Sequence, residues 1–353
     1  MDDDRRAFLE ELLATASPSG FETRGQRTWL DYVDEFADHT HTDAYGNAVA
    51  THEGDGPTIA LCGHADEVGY IVRRIEDEGF LRVDAVGGAD RTVSKGQRVT
   101  VHAVDGPVTG VVGQTAIHLR DGDEEAPPDD LREQYVDVGA DDADAARELV
   151  SVGDPVTVAS SVAELAEGRL TARGMDNRVG VWAAAEGLRQ AVAADVDATV
   201  HAVSTVQEEV GLQGARMVGH GIDADAVVVV DVTHATDHPG LETKQRGPVE
   251  LGAGPVVKRG SANHPELVAL AREAAADAGT DLQLQAAGSR TGTDADAFYV
   301  AAGGTPTVSV GVPNRYMHTP CEVVDEDDLD AVAGLLGAMT ERGAARESFA
   351  VDV

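Results

Sequence analysis

Apolar positions change their spacing twice along the chain. At the start, Phe8, Leu9, Leu12 and Leu13 recur at helical intervals and predict a helix. The stretch Ser17-Pro-Ser-Gly-Phe-Glu22 breaks it and opens a second helix, with Phe21 and Trp29 expected as core anchors. A strand pair is expected over Thr42 to Thr51, turning at Tyr45-Gly-Asn47, followed by a buried strand at Thr58-Ile-Ala-Leu-Cys62.

From about Tyr70 to Ser160 the helical period fades, except near Asp142 to Leu149. Short strand-like runs take over at Tyr70–Val72, Phe80–Val83, Arg98–Val101, Val108–Val112, Tyr135–Val138 and Pro155–Val158, which predicts a small all-β barrel. The segment Asp121 to Asp130 is expected as an exposed acidic loop. After about Thr171 strands and helices alternate. Helices are predicted over Asn177–Val192, Gly214–Gly219, His264–Ala278 and Leu329–Met339, and strands over Thr199–Val206, Ala226–Val230 and Pro306–Val310. This alternation predicts an α/β fold with a mixed, mostly parallel sheet covered by helices. Residues 1–69 and 165–353 would form one domain, and residues 70–164 an inserted β-barrel domain.

Composition sharpens the picture. The 353 residues are 42% apolar, enough for a sizeable core, and the length favours two units. The formal net charge is -36, with Lys95, Lys244 and Lys258 as the only lysines. So acidic a surface argues against nucleic acid and anionic membranes as partners. The acidic residues are dispersed, which reads as adaptation to a high-salt cytoplasm, where a Debye length of about 3 Å at molar salt screens self-repulsion. Two cysteines, Cys62 and Cys321, make no disulfide scaffold. The charged Met1–Arg6 start is followed by no apolar stretch long enough for a signal peptide, and no run of about 18 apolar residues occurs, so the expectation is a soluble cytoplasmic protein.

The candidate chemistry lies just beyond the apolar strands or in the loops between elements, where open α/β sheets bind ligands. His64, in Gly63-His-Ala-Asp66, reads either as a packed histidine or as a metal ligand whose Nδ1 proton Asp66 accepts. Asp176 reads either as a helix N-cap or as a carboxylate able to bridge two cations. Glu208 and Glu209 repel one another unless a cation compensates; otherwise they are a solvated pair. Asp231, after four valines, needs a partner, and His318 sits in a loop with little structural use for a histidine. Taken together, two histidines and three carboxylates suit two divalent metal ions, zinc or cobalt, about 3.5–4 Å apart. Calcium or magnesium would favour all-oxygen shells.

In family order the chain carries Ser17-Pro-Ser-Gly-Phe-Glu22, Asp43-Ala-Tyr-Gly-Asn47, Gly63-His-Ala-Asp-Glu-Val-Gly69, Arg173-Gly-Met-Asp-Asn-Arg178, Gln207-Glu-Glu-Val-Gly211, Asp231, Gly292-Thr-Asp294 and Arg315-Tyr-Met-His-Thr-Pro320. With these motifs it resembles the co-catalytic metallo-aminopeptidases of the tetrahedral (TET) type, whose members are also called glutamyl aminopeptidase or cellulase; a haloarchaeal member fits the charge. The resemblance implies that His64 binds one metal and Asp66 orients it. It implies that Asp176 bridges, with a cis peptide to Asn177, and that Glu208 is the general base. Glu209 and His318 would complete one metal position, and Asp231 the other. It further implies peptide substrates and a homo-oligomer, a tetrahedral dodecamer built from dimers through the inserted domain. Thr293 and Asp294 are expected at the substrate. The rival readings are a glycoside hydrolase using paired carboxylates and a non-enzymatic, metal-stabilised peptide-binding scaffold.

Overall fold

The computed structural model describes residues 1–119, 130–241 and 247–353. Across the main sheet the strands run in the order His39–Thr42, Ala48–His52, Thr199–Thr205, Thr58–His64, Ala226–His234, Thr307–Asn314, Val256–Gly260 and Gln283–Ala287. The four central strands, Thr199–Thr205 to Thr307–Asn314, pair in parallel, and the antiparallel pairs lie toward the edges. The expected mixed, mostly parallel sheet is therefore present.

Its central strands are apolar on both faces because both faces are covered. Ile59 and Leu61 join the core under helices Asp3–Ala14, Met175–Ala193, Pro265–Ala278 and Glu326–Ala344, while Ala60 and Cys62 face Val218 and Phe298 on the other side. Val228 and Val230 divide from Val227 and Val229 in the same way. Trp29 is fully buried, and its indole N–H donates to the Val181 carbonyl at 2.9 Å. Phe21 does not anchor the core: it is 44% exposed, turned outward just after Gly20 at φ +87°.

Six strands close the expected barrel: Gly69–Ile75, Leu81–Val86, Tyr135–Asp137, Gly106–Val112, Arg98–Ala103 and Pro155–Val158. Tyr70, Val72, Leu81, Val83, Val99, Val101, Val112, Val136 and Val156 fill it. The acidic stretch expected as a loop lies, over residues 121–129, outside the described residues. A small antiparallel sheet, Ala163–Glu164, Arg169–Ala172 and Glu322–Asp325, joins the end of the barrel segment to the C-terminal region. Among the described residues no helix is long and apolar enough to cross a membrane.

The strand ending in His64 lies directly against the start of the Met175–Ala193 helix. A Cβ on Gly63 would stand 2.5 Å from the Gly180 carbonyl carbon, so only glycine permits this approach. Gly63→Ala should lower the unfolding free energy by about 1–3 kcal/mol, the cost of forcing backbones apart in a packed core, measured by denaturant titration. A variant as stable as the wild type would show that the approach is not tight.

Candidate active site

The central parallel strands end on one side of the sheet, and there the polar groups gather in a cleft of about 1050 Å³. His64 closes the Thr58–His64 strand. Glu208 and Glu209 follow the Thr199–Thr205 strand, reached through Gln207 at φ +57°. Asp231 lies within Ala226–His234 rather than at its end, because the strand continues four residues past the valine run as the partner of Thr307–Asn314. His318 lies in the loop after Thr307–Asn314.

Asp176 stands at the middle. It does not cap the Met175–Ala193 helix: the N-cap is Gly174, with no side-chain cap, and Asp176 and Asn177 leave helical geometry across a cis peptide. Asp176 Oδ1 is 3.2 Å from His64 Nε2, and Asp176 Oδ2 is 3.3 Å from His318 Nε2. On the first side Asp231 Oδ2 is 3.7 Å from His64 Nε2; on the second, Glu209 Oε1 is 3.5 Å from His318 Nε2. Two groups of three ligand-type side chains result, His64, Asp176 and Asp231, and Asp176, Glu209 and His318, sharing Asp176. Glu208 Oε2 stands 4.0 Å from His64 Nε2.

Both histidines are aimed. His318 Nδ1 donates to the Gly88 carbonyl of the barrel segment at 3.0 Å, and His64 Nδ1 to the Asp66 carbonyl at 3.2 Å, so each Nε2 turns inward toward the carboxylates. The Asp66 carboxylate, expected to hold His64, lies 3.4 Å from Nδ1 and makes closer bonds elsewhere. It accepts from the Ser19 hydroxyl at 2.6 Å and from the backbone N–H groups of Glu208 and Glu209 at 2.9 and 3.1 Å. Glu22 Oε1 accepts the preceding N–H, that of Gln207, at 3.2 Å. Glu322, unremarked in the sequence, accepts from the backbone N–H groups of Asp176 and His318.

The electrostatics follow from burial and crowding. Burial, then the charges of Asp231, Asp294 and Glu209, push the Glu208 carboxyl up to about 10. Burial and Asp176 push Glu209 up to about 8. Burial also works against ionisation of Asp176, but His318 and His64 outweigh it and hold its carboxyl well below the usual range. The hydrogen bond to Asp176 pulls His318 up to about 10 despite burial. His64 Nε2 and Glu209 Oε1 are buried with no hydrogen-bond partner. An imidazole nitrogen in one triad and a carboxylate oxygen in the other, both left unpaired, belong to a donor set that fits divalent cations.

Thr293 and Asp294 are not placed to touch substrate. They are 1% and 0% exposed, and Asp294 Oδ2 takes the Thr205 hydroxyl at 2.5 Å. Thr291 and Gly292 line the cleft instead, beside Arg290, Gln285 and Lys258. Lys258 is largely buried, its ammonium donating to the Thr291 carbonyl at 2.9 Å, and burial lowers its pKa. The Gly87-Gly88 pair carries a signal of its own, because adjacent glycines in a β region mark close backbone approach.

Strand ends gather histidines and carboxylates into one cleft that suits divalent cations, and comparison with known proteins says which class of enzyme carries it. The chain belongs to the M42 glutamyl aminopeptidase family, whose model matches residues 46–335. It is a peptide hydrolase of the aminopeptidase class. It is 31% identical to the lysyl aminopeptidase of Pyrococcus furiosus over 95% of this chain and 96% of that one. Its fold matches the TET aminopeptidase of the marine sediment archaeon Thaumarchaeota archaeon SCGC AB-539-E09, with TM-score 0.90, 30% identity and 96% of each chain covered. It also matches the TET1 peptidase of Pyrococcus horikoshii, described as assembling into a tetrahedron or a large octahedral shell, with TM-score 0.85 and 28% identity over 95% of this chain and 99% of that one.

A Cβ on Gly88 would stand 2.8 Å from His318 Nδ1. Gly88→Ala should push the imidazole out of line and lower aminopeptidase kcat/KM by about 10–100-fold, as loss of a ligand-orienting contact does. Steady-state assay of the purified variant reads this directly; unchanged kcat/KM would mean that the barrel does not aim His318.

Proposed function

We propose that this chain is a metal-dependent aminopeptidase, releasing N-terminal residues from peptides at the cleft around Asp176. The observation that carries the reading is the shared carboxylate: Asp176 offers one oxygen to each histidine, at 3.2 and 3.3 Å. His64, Asp176 and Asp231 would hold one cation, and Asp176, Glu209 and His318 the other. The mixed imidazole and carboxylate set favours zinc or cobalt over calcium or magnesium. Such a pair supplies an acidified water and polarisation of the scissile carbonyl.

The chain's own groups do the rest. Glu208 belongs to neither triad, and its carboxylate faces the same space. With bound cations offsetting the burial and crowding that hold its proton, it would take the proton of the attacking water at Oε and hand it to the departing amine as the peptide bond breaks. Asp66 holds the Glu208 and Glu209 amides, so the proton carrier and its ligand neighbour move as one rigid piece. Thr233, Gln285 and Lys258 form a polar wall along which the peptide is oriented.

Homo-oligomeric assembly fits the barrel surface. Val104, Ile117 and Val152 are 96, 70 and 63% exposed there, apolar groups suited to a second copy of the chain. By analogy with the TET1 peptidase of Pyrococcus horikoshii, the assembly would be tetrahedral, with residues 70–164 supplying contacts between copies.

Hydrolysis of aminoacyl-anilides should stop on chelation and return with zinc or cobalt. Glu208→Gln should keep its metal content and lose about 10²–10⁴-fold in kcat. Anilide hydrolysis that survives complete chelation sinks the metal reading; a metal-loaded Glu208→Gln with near-wild-type kcat sinks the base assignment.

A further inference from the structure

The loop that carries His318 is tied from within. Arg315 and Val323 exchange backbone hydrogen bonds in both directions, at 2.9 and 3.0 Å. Between them the chain turns with Tyr316 and His318 both at φ +65°, a left-handed conformation that non-glycine residues hold only when their surroundings impose it. Glu322 lies at the foot of this turn and is 1% exposed. Its Oε1 accepts the backbone N–H of His318 at 2.8 Å, and its Oε2 accepts that of Asp176 at 3.0 Å.

The second bond depends on the small sheet. Glu322 is the register partner of Ala172 in the antiparallel pair of Arg169–Ala172 and Glu322–Asp325. The chain then passes through Arg173, Gly174 and Met175 into Asp176, so pairing places the Glu322 carboxylate under that residue's amide. Both partners are N–H donors, and only an acceptor-only side chain satisfies both; glutamine would turn an NH₂ against one of them.

We propose that Glu322 is a positioning residue that locks His318 to Asp176 and so shapes the Asp176–Glu209–His318 half of the metal centre. The inference rests on the two-cation reading above. It predicts an asymmetric effect, because the other half takes its remaining groups, His64 and Asp231, from the strands Thr58–His64 and Ala226–His234, whereas the Glu322 carboxylate holds the amides of Asp176 and His318.

Calorimetric titration of cobalt(II) into metal-free wild-type protein and into Glu322→Gln, together with the visible cobalt spectrum, tests this without an activity assay. Two ions bound per wild-type chain are expected; no binding by the wild type overturns the metal reading itself and this proposal with it. In Glu322→Gln the first ion should bind near its wild-type affinity and the second about 10–100-fold more weakly, with loss of the second ion's spectral contribution. Two ions at wild-type affinity, or equal weakening of both, overturns the role of Glu322 while leaving the metal reading intact. Glu322→Asp keeps both acceptor oxygens on a shorter arm and carries the same test if the glutamine variant does not fold. Selective weakening of the second ion supports the proposal, and unchanged or uniform affinity overturns it.

Discussion

Mutual repulsion among buried carboxylates is the constraint around which this molecule is arranged. Asp66, Asp176, Glu208, Glu209, Asp231, Asp294 and Glu322 converge on one end of the sheet, and all are 11% exposed or less. Left to themselves such groups would take up protons, and Glu208, Glu209 and Asp294 are pushed that way by burial and by one another. The fold answers with two kinds of partner. Outer carboxylates receive backbone N–H groups: Glu22 that of Gln207, Asp66 those of Glu208 and Glu209, Glu322 those of Asp176 and His318. Inner carboxylates are left facing two imidazole nitrogens and the cleft. The outer set thus spends its hydrogen bonds on fixing the backbone that presents the inner set, and the inner set keeps its lone pairs for a cation.

That division explains why the site draws on so many parts of the chain. A neighbouring loop cannot deliver a carboxylate to another loop's amides unless the sheet first brings the two together. Parallel pairing of Thr58–His64 with Thr199–Thr205 sets His64 beside Thr205 and brings Asp66 within reach of Glu208 and Glu209, beyond Val206 and Gln207. Pairing of Arg169–Ala172 with Glu322–Asp325 does the same for Glu322 and Asp176. The barrel contributes as well, since the Gly88 carbonyl fixes the tautomer and direction of His318. The barrel segment is therefore part of the active-site geometry, whatever it contributes to contacts between chains.

What the sequence reveals and what it hides divide along physical lines. The central strands are legible because burial on both faces makes them continuous apolar runs, as in Ala226–Val230. Val256–Gly260 and Gln283–Ala287 are not, because the first has only two apolar residues before Lys258 and the second is an edge strand with alternating exposure. The acids and histidines around Asp176 are legible as residue types at strand ends, and the family motifs arrange them. Taken singly, Asp176 reads equally as a cap, and only the structure shows its oxygens turned away from the helix amides. Glu322 is hidden because its role lies in backbone hydrogen bonds set by strand register, which no side-chain pattern encodes. Thr293 and Asp294 mislead for the converse reason: a motif marks them, but Asp294 turns inward to Thr205.

The net charge of -36 and the inner cluster look like two expressions of one acidic chain, yet they obey different electrostatics. Surface carboxylates repel through water, and added salt screens them over a Debye length of about 3 Å at 1 M. The inner groups stand 3.2–4.0 Å apart in a place that bulk ions reach poorly, so screening acts weakly between them. Salt can therefore relieve the surface without relieving the site. Monovalent ions in the cleft would be too weakly held to fix Asp176, Glu209 and Asp231 in their present directions, whereas a divalent cation joined to an imidazole gains both charge and directed bonds. The orphaned His64 Nε2 marks the difference, because an imidazole nitrogen aimed at carboxylates offers a lone pair to a metal and nothing to a diffuse ion atmosphere. Surface acidity and the cluster at Asp176 thus answer to different partners, the first to the ionic strength of the solvent and the second to groups held at short range.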